Sequence, residues 1–209
     1  LHYPLRRQRQ MCIRDRSNTD RIVIYDNSDV LSSCRGWYNF IYFGHDKHLV
    51  SVLDGGLKKW LIENRKVTSV KTILKNSTYR ATENKNLVKS ILEINENIEK
   101  KNFTVIDARS KERFNGSVPD PRKNVRSGSI PNSVCLPFKE IINSSDNTFK
   151  GVSEISKKFS EIIDLNDDKR VFSCGSGITA CVLSLAYSLV NNTYSPTVYD
   201  GSWAEYGRI

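Results

Sequence analysis

Short apolar runs alternate with amphipathic stretches along most of this 209-residue chain. The apolar runs end in turn residues, as buried strands do, and predict strands at 21–25, 48–56 with its glycine turn, 103–109, 133–138, 170–174 and 197–202. The amphipathic stretches predict helices at 34–43, 57–61, 86–98, 152–163, where Ser153 is the expected cap, and 178–190. This alternation predicts an α/β fold in which helices flank both faces of a parallel sheet.

One pattern occurs twice, as SVLDGGLKKW at 51–60 and as TVYDGSWAEY at 197–206. An internal repeat of a strand followed by Asp-Gly predicts two copies of one domain. The polar, aperiodic stretch between them reads as a linker. We therefore expect an incomplete N-terminal domain at 17–61, a linker at 62–85 and a nearly complete second domain at 86–209.

Composition and charge narrow the class of protein. Hydrophobic residues make up 38% and charged residues 26% of the chain, which is typical of a globular protein. No apolar run reaches the roughly 18 residues of a membrane span, so no membrane partner is expected. The net charge is +9, but residues 1–16 hold five Arg and one Asp, and the other lysines are scattered. This distribution argues against a nucleic-acid partner.

The five cysteines form no CxxC pair and no cluster with the three histidines. An odd number of cysteines without pairing argues against a disulfide framework and favours a reduced compartment. The missing Cys/His spacing argues against zinc, so no metal and no cofactor are expected.

The stretch VFSCGSGITACVLSLAYSLV at 171–190 holds the main candidate chemistry. It predicts a strand, a Gly-rich loop and a helix, with Cys174 at the mouth of the loop. In α/β sheets ligands bind at this end of the strands, where loop N–H groups and the helix N-terminus favour anions. Such a field stabilises a thiolate, so Cys174 is a candidate nucleophile. The alternative is a small buried core residue, and we assign Cys34, Cys135 and Cys181 to that class.

A second candidate is the Pro/Gly-rich loop after the strand at 103–109. It contains four arginines, namely Arg109, Arg113, Arg122 and Arg126. If the loop reaches over Cys174, their planar guanidinium groups suit a carboxylate or a sulfur oxyanion. The alternative is a solvated basic loop, which composition alone does not reject.

These motifs together resemble a known family. CGSGITA at 174–180 is similar to the active-site loop of the 3-mercaptopyruvate sulfurtransferases of the rhodanese superfamily, which have two tandem rhodanese domains. The preceding segment DARSKERFNG…PR…SGSIPNSVCLPF at 107–138 and the later YDGSW at 199–203 also resemble that family. The stretch from VIYDNSD to VLDGGLKKWL at 23–61 resembles the end of its non-catalytic domain. The resemblance covers about residues 18–206.

The resemblance implies a rhodanese-like fold and specific roles. Cys174 would carry sulfur as a persulfide, and Ser176 would act with it in catalysis. Arg113 and Arg122 would hold the substrate carboxylate, and the substrate loop would include Gly175, Gly177, Ile178 and Thr179. The implied activity moves sulfur from 3-mercaptopyruvate, a small-molecule donor, to cyanide or to a thiol acceptor such as a small thiol or a thioredoxin-like protein, and it releases pyruvate. The implied compartment is cytoplasmic or mitochondrial.

The chain also departs from the family pattern. Residues 1–16 match nothing in it and read as unrelated sequence or a joining scar. The first half of the non-catalytic domain is not recognisable, so no residue here is assigned to the Asp and His that join the loop serine in a proposed proton relay. We expect an N-terminally truncated chain that is sticky in its N-terminal half and weakly active or inactive.

Three alternatives remain for the loop. Tyrosine phosphatases also use a Cys at a strand end, but they need an Arg six positions later, where this chain has Ala180. Thiosulfate sulfurtransferases place cations after the Cys, whereas Gly175 and Ser176 are neutral and suit a mono-carboxylate such as mercaptopyruvate. The third alternative is a non-catalytic rhodanese-like binding or regulatory module.

Overall fold

The computed structural model describes residues 16–71, 73, 76–167 and 169–209. The expectation that residues 1–16 are unrelated sequence thus falls almost wholly outside the described residues. The strands are β1 (Ile22–Ile24), β2 (Val50–Val52), β3 (Val88–Lys89), β4 (Thr104–Asp107), β5 (Val134–Cys135), β6 (Arg170–Ser173) and β7 (Thr197–Tyr199). The helices are α1 (Ser33–Tyr42), α2 (Gly56–Ile62), α3 (Ile91–Lys100), α4 (Lys111–Asn115), α5 (Val152–Ser160), α6 (Ala180–Asn191) and α7 (Ser202–Tyr206).

Five of these strands form one parallel sheet in the order β3-β7-β6-β4-β5. β6 lies in the middle, where Phe172 pairs with Ile106 of β4 and with Val198 of β7. The strands point the same way, so the loops that follow β4 and β6 leave the sheet at the same edge. The predicted α/β class is confirmed, and this topology brings the two candidate loops together.

The main sheet is covered on both faces. Because side chains alternate along a strand, Ile106, Phe172 and Val198 face one core, which they share with α5 and α6. Val105, Val171 and Tyr199 face the other core, which contains Ile94 of α3 and Trp203 of α7. Both faces of the central strand are therefore shielded from solvent, so β6 provides a rigid support for Cys174, the residue that follows it.

The N-terminal region forms a smaller unit in which β1 and β2 pair in parallel. Its helix α1 packs against α6, and Trp37, Phe40 and Ile41 belong to the same hydrophobic core as α6. The outer side of β1 stays open to solvent, with Val23 58% and Tyr25 61% exposed. This region thus shares its core with the second domain instead of building one of its own. The domain boundaries at 61 and 86 stay a prediction.

The internal repeat is visible in backbone register. Ile24 pairs with Val52 in the first unit as Phe172 pairs with Val198 in the second. The next contact repeats as well, because the Leu57 N–H donates to the carbonyl of Asp26 at 2.9 Å and the Trp203 N–H donates to the carbonyl of Cys174 at 2.9 Å. Asp26 therefore occupies the position in the first unit that Cys174 occupies in the second.

Left-handed backbone follows the Asp-Gly turn in both units, with φ of 53° at Gly56 and 51° at Ser202. Glycine adopts this conformation without strain, whereas serine adopts it at a cost. The strained residue Ser202 is the one whose side chain contacts Cys174.

Four local expectations need correction. The helix expected at 86–98 begins only at Ile91, where Ser90 and Glu93 form a capping box, and β3 takes up Val88 and Lys89. The cap of α5 is Gly151 and not Ser153. The short helices α4 and α7 were not predicted, because five residues give too little periodicity.

No helix in the described ranges is long and apolar enough to cross a membrane.

Candidate active site

Cys174 follows the last residue of β6 and is only 1% exposed. Its N–H donates to Ser202 Oγ at 3.1 Å, and Ser202 Oγ donates to the Tyr199 carbonyl at 2.9 Å. The N–H of Ser176 points back at Cys174 Sγ at 3.4 Å. One N–H of the loop before α6 is therefore directed at the sulfur, and the convergence of several N–H groups stays a prediction.

The other described thiols are held in their neutral form. Burial raises the pKa of Cys181 to about 12, and its S–H donates to the Gly177 carbonyl at 3.2 Å. Burial likewise raises the pKa of Cys135 to about 12 and that of Cys34 well above its ordinary value. These three cysteines are poor nucleophiles at neutral pH. Cys34 and Cys181 are fully buried, as expected for core residues, whereas Cys135 is only partly buried.

Two of the four loop arginines lie over the Cys174 loop. A Cβ built on Gly175 would lie 2.9 Å from Arg122 Nη2 and 3.3 Å from Arg113 Nη2. A larger residue at position 175 would displace these guanidinium groups, so glycine there lets both arginines approach the loop closely. Both arginines are partly accessible, with side chains 28% and 34% exposed.

A buried carboxylate joins the two arginines. Asp120 accepts from Arg113 Nη2 at 2.8 Å and from Arg122 Nη1 at 3.1 Å, and its side chain is 2% exposed. Burial alone would raise the pKa of Asp120, but the hydrogen bonds from Arg113 and from the Arg122 backbone outweigh it and lower this pKa. Asp120 is thus ionised at neutral pH, and it holds both guanidinium groups in place.

The remaining two arginines are structural. Arg109 is buried and forms an ion pair with Asp107 at 2.8 Å, and its guanidinium also lies over the Trp203 ring. Arg126 is exposed and stacks on the rings of Trp203 and Tyr206. The basic loop is therefore not uniform, because only two of its four arginines face the Cys174 mouth.

The other loop residues complete the mouth. Ser176 and Thr179 are half-buried, and Ile178 is 38% exposed. Gly177 has φ of 76°, and its carbonyl accepts a hydrogen bond from Arg35 in the N-terminal region. The assignment of Ser176 to catalysis stays a prediction.

Sequence reasoning missed three residues of this site, namely Arg35, Asp120 and Ser202. Asp120 offered a signal, because an acidic residue between two arginines in one loop can pair with both. Arg35 and Ser202 offered none, since each reaches the loop only through the packing of distant elements.

Comparison with known proteins gives matches over most of the chain. The family model for the rhodanese-like domain matches residues 4–63 and 90–208. The chain is 37% identical over 211 residues to thiosulfate/3-mercaptopyruvate sulfurtransferase 1 (mitochondrial) of Arabidopsis thaliana, covering 90% of this chain and 54% of that protein. It is 39% identical over 193 residues to 3-mercaptopyruvate sulfurtransferase of Mus musculus, covering 91% of this chain and 63% of that protein.

A solved structure gives the same picture. The crystal structure of the 3-mercaptopyruvate sulfotransferase SseA from Escherichia coli matches with a TM-score of 0.72 and 28% identity, over 87% of this chain and 66% of that one. The chain thus spans between about half and two thirds of the length of these curated relatives. The two matched regions, the sheet topology and the repeated register lead to one conclusion: this chain belongs to the rhodanese-like domain family.

Proposed function

We propose that this chain is the catalytic part of a sulfurtransferase that takes sulfur from 3-mercaptopyruvate on Cys174. The observation that carries the proposal is the placement of Arg113 and Arg122, whose guanidinium groups lie within 2.9–3.3 Å of a Cβ position on Gly175. The candidate nucleophile Cys174 and the two anion-binding groups Arg113 and Arg122 therefore lie at the same loop. The names of the relatives from Arabidopsis thaliana and Mus musculus agree with this chemistry.

The charge of the receptor favours a single carboxylate. Two guanidinium groups and the ionised Asp120 leave one net positive charge beside the loop. A mono-carboxylate neutralises that charge, whereas a dianion such as thiosulfate leaves one negative charge uncompensated near a thiolate. Gly175 and Ser176 add no cation.

The proposed reaction begins when Arg113 and Arg122 hold the carboxylate of mercaptopyruvate. The Cys174 thiolate attacks the substrate sulfur, an S–S bond forms, and the C–S bond breaks with its electron pair moving to carbon. This gives a Cys174 persulfide and the enolate of pyruvate, which takes up a proton and leaves. The N–H of Ser176 stabilises negative charge on sulfur.

The second half of the reaction restores the enzyme. An acceptor thiolate attacks the outer sulfur of the persulfide, and the electron pair of the broken S–S bond returns to Cys174. Cyanide as acceptor gives thiocyanate in the same way. The partners are thus a small-molecule sulfur donor and a thiol acceptor, either a small thiol or a thioredoxin-like protein, in a cytoplasmic or mitochondrial compartment.

A steady-state comparison of donors tests the proposal. Pyruvate release from mercaptopyruvate and thiocyanate formation from thiosulfate are measured on the full chain with cyanide as acceptor. We expect a higher kcat/KM for mercaptopyruvate. Because slow turnover is expected for this chain, the deciding result is absence of transfer from both donors together with no sulfur adduct on Cys174. That result would contradict the sulfurtransferase assignment and favour the binding module, in which the fold remains but the chemistry is lost.

Thiosulfate as the main donor is the second candidate. The observation that favours it is the combined name of the Arabidopsis thaliana relative, and a thiosulfate sulfurtransferase of Rattus norvegicus is 35% identical over 196 residues. A higher kcat/KM for thiosulfate in the same experiment would support this candidate against mercaptopyruvate.

A further inference from the structure

The loop that carries Cys174 is held from the N-terminal unit by Arg35, a residue of α1. Arg35 Nη1 donates to the Gly177 carbonyl at 2.8 Å, across 142 positions of sequence. Its Nη2 forms an ion pair with Asp200 Oδ1 at 2.6 Å. One guanidinium therefore connects the Cys174 loop to the turn that begins with Asp200.

This contact is shielded from solvent. The side chains of Arg35 and Asp200 are 12% and 19% exposed. The Arg35 guanidinium also lies over the Tyr38 ring at 5.5 Å. Burial disfavours its charge, but the nearby Cys181 and Asp200 hold the pKa of Arg35 above its ordinary value. A charged hydrogen bond in such a shielded place is stronger than one in water.

The glycine at position 177 is required by its backbone conformation and by the close Asp200 carbonyl. A Cβ there would lie 2.9 Å from Arg35 Nη1 and 2.8 Å from the Asp200 carbonyl, and the residue has φ of 76°. The Gly177 carbonyl also accepts from the Cys181 thiol at 3.2 Å. Two donors on one carbonyl define the orientation of the whole peptide group between Gly177 and Ile178.

In a trans peptide the carbonyl and the following N–H point in opposite directions. With the Gly177 carbonyl directed at Arg35, the N–H of Ile178 is directed away from Arg35. No cis peptide bond occurs in the described residues. Arg35, a side chain from the other repeat, is thus one of the two groups that hold this peptide in its orientation.

We propose that Arg35 is a positioning residue, which keeps the Cys174 loop in the conformation that directs its N–H groups at the sulfur and at an incoming anion. The inference rests on the proposed function for its chemistry. Arg35 touches neither the nucleophile nor the receptor arginines in the contacts described, so its loss should change the reactivity of Cys174 more than the binding of the substrate carboxylate.

The test uses the full chain with Arg35→Met, which keeps the stem but removes both donors, and Arg35→Lys, which keeps the charge. Arg21→Met is the matched control, because Arg21 is an exposed arginine of the same unit. Two readouts are taken: kcat and KM for mercaptopyruvate, and the rate of Cys174 alkylation by iodoacetamide, located by peptide mapping. Thermal melting shows whether each variant is folded.

For Arg35→Met we expect kcat and the alkylation rate each to fall about tenfold or more, as for the loss of one charged hydrogen bond, while KM stays near the wild-type value. Arg35→Lys should recover part of both rates, and Arg21→Met should match the wild type. Wild-type rates in Arg35→Met would overturn the inference, and so would a change confined to KM.

Two further results keep the test decisive. If Arg35→Met does not fold, Arg35→Gln takes its place, since it removes the charge and keeps a polar end, and wild-type rates in a folded Arg35→Gln would overturn the inference. If the wild type transfers no sulfur and gains none on Cys174, the proposed function fails. The alkylation rates need no sulfur donor, so they still decide the role of Arg35.

Discussion

The loops after β1 and β6 place Asp26 and Cys174 at equivalent backbone positions, but the two side chains differ in the hydrogen bonds they accept. Asp26 Oδ2 accepts from the Ser33 N–H at 2.8 Å, from Ser32 Oγ at 2.7 Å and from Ser28 Oγ at 2.9 Å. The Asp26 carboxylate thus accepts hydrogen bonds from three donors that follow it in the chain. Among the described residues, Cys174 Sγ accepts only the long contact from the Ser176 N–H at 3.4 Å, so the side chain does not occupy the other donors of its loop.

The residues next to the two positions also differ. The cavity beside Asp26 and Gly56 is about 10 Å³, too small for more than one water. Beside Cys174, Gly175 makes room for the guanidinium groups of Arg113 and Arg122. One backbone arrangement therefore serves as a structural anchor in the first unit and as a candidate reaction site in the second, which shows that chemistry follows from the side chains placed on a fold.

The strongest way to break this comparison is Cys174→Ser. We expect it to abolish sulfur transfer and to leave the fold intact, because a hydroxyl is not ionised near neutral pH and does not hold a sulfane sulfur. Pyruvate release is the measurement. Cys135→Ser is the control, since Cys135 lies on β5 with its thiol held neutral. Retention of more than a small fraction of activity in Cys174→Ser would reject this nucleophile.

Removal of either carboxylate-binding arginine should have the next largest effect on activity. Arg113→Ala and Arg122→Ala should each cost about 2–3 kcal/mol in kcat/KM for mercaptopyruvate, roughly 30- to 150-fold, because a charged contact to the carboxylate is lost. Arg126→Ala should cost much less, because the Arg126 guanidinium stacks on the rings of Trp203 and Tyr206. Equal losses at all three positions would favour a diffuse basic loop.

A change of receptor charge should shift the choice of donor. Asp120→Asn leaves two net positive charges beside the loop, so kcat/KM for thiosulfate should rise relative to that for mercaptopyruvate by about tenfold. Glu112→Gln is the matched control, since Glu112 is an exposed acid of α4 in the same segment. An unchanged ratio in Asp120→Asn would show that receptor charge does not set donor preference.

The smallest expected effect lies in the first unit. Asp26→Asn should lower the free energy of unfolding by about 1–2 kcal/mol, because three hydrogen bonds to an ionised oxygen become weaker. Sulfur transfer should be unchanged, since Asp26 belongs to the other loop. Urea unfolding and pyruvate release measure the two quantities. A loss of activity without a loss of stability would mean that the two loops are not separate in function.

The sequence predicted the central elements because their patterns are local. The buried run at 170–174, its glycines and the apolar helix after them identify β6, the loop and α6 without tertiary information. The partition of the four arginines was not predictable in this way. Arg109 and Arg113 are four residues apart, yet one is buried against Asp107 and the other faces the loop, and only packing separates them.

The contribution of the first unit was also hidden from the sequence. Arg35 meets Gly177 because α1 packs against α6, and nothing in the local pattern around Arg35 indicates that partner. The shared core has the same origin, since Trp37 and Phe40 belong to the same hydrophobic core as residues of α6. Contacts between distant segments depend on the assembled fold, which local periodicity does not encode.

Mass spectrometry after a single exposure to mercaptopyruvate tests most directly the claim that Cys174 takes up the donor's sulfur. One transfer is enough to load Cys174, even where the later transfer of this sulfur to an acceptor is slow. We expect a mass gain of one sulfur atom on the peptide that contains Cys174. A thiol should remove the added sulfur, and Cys174→Ser should not acquire it. No added sulfur on Cys174, or an equal gain on the Cys135 peptide, would contradict the account.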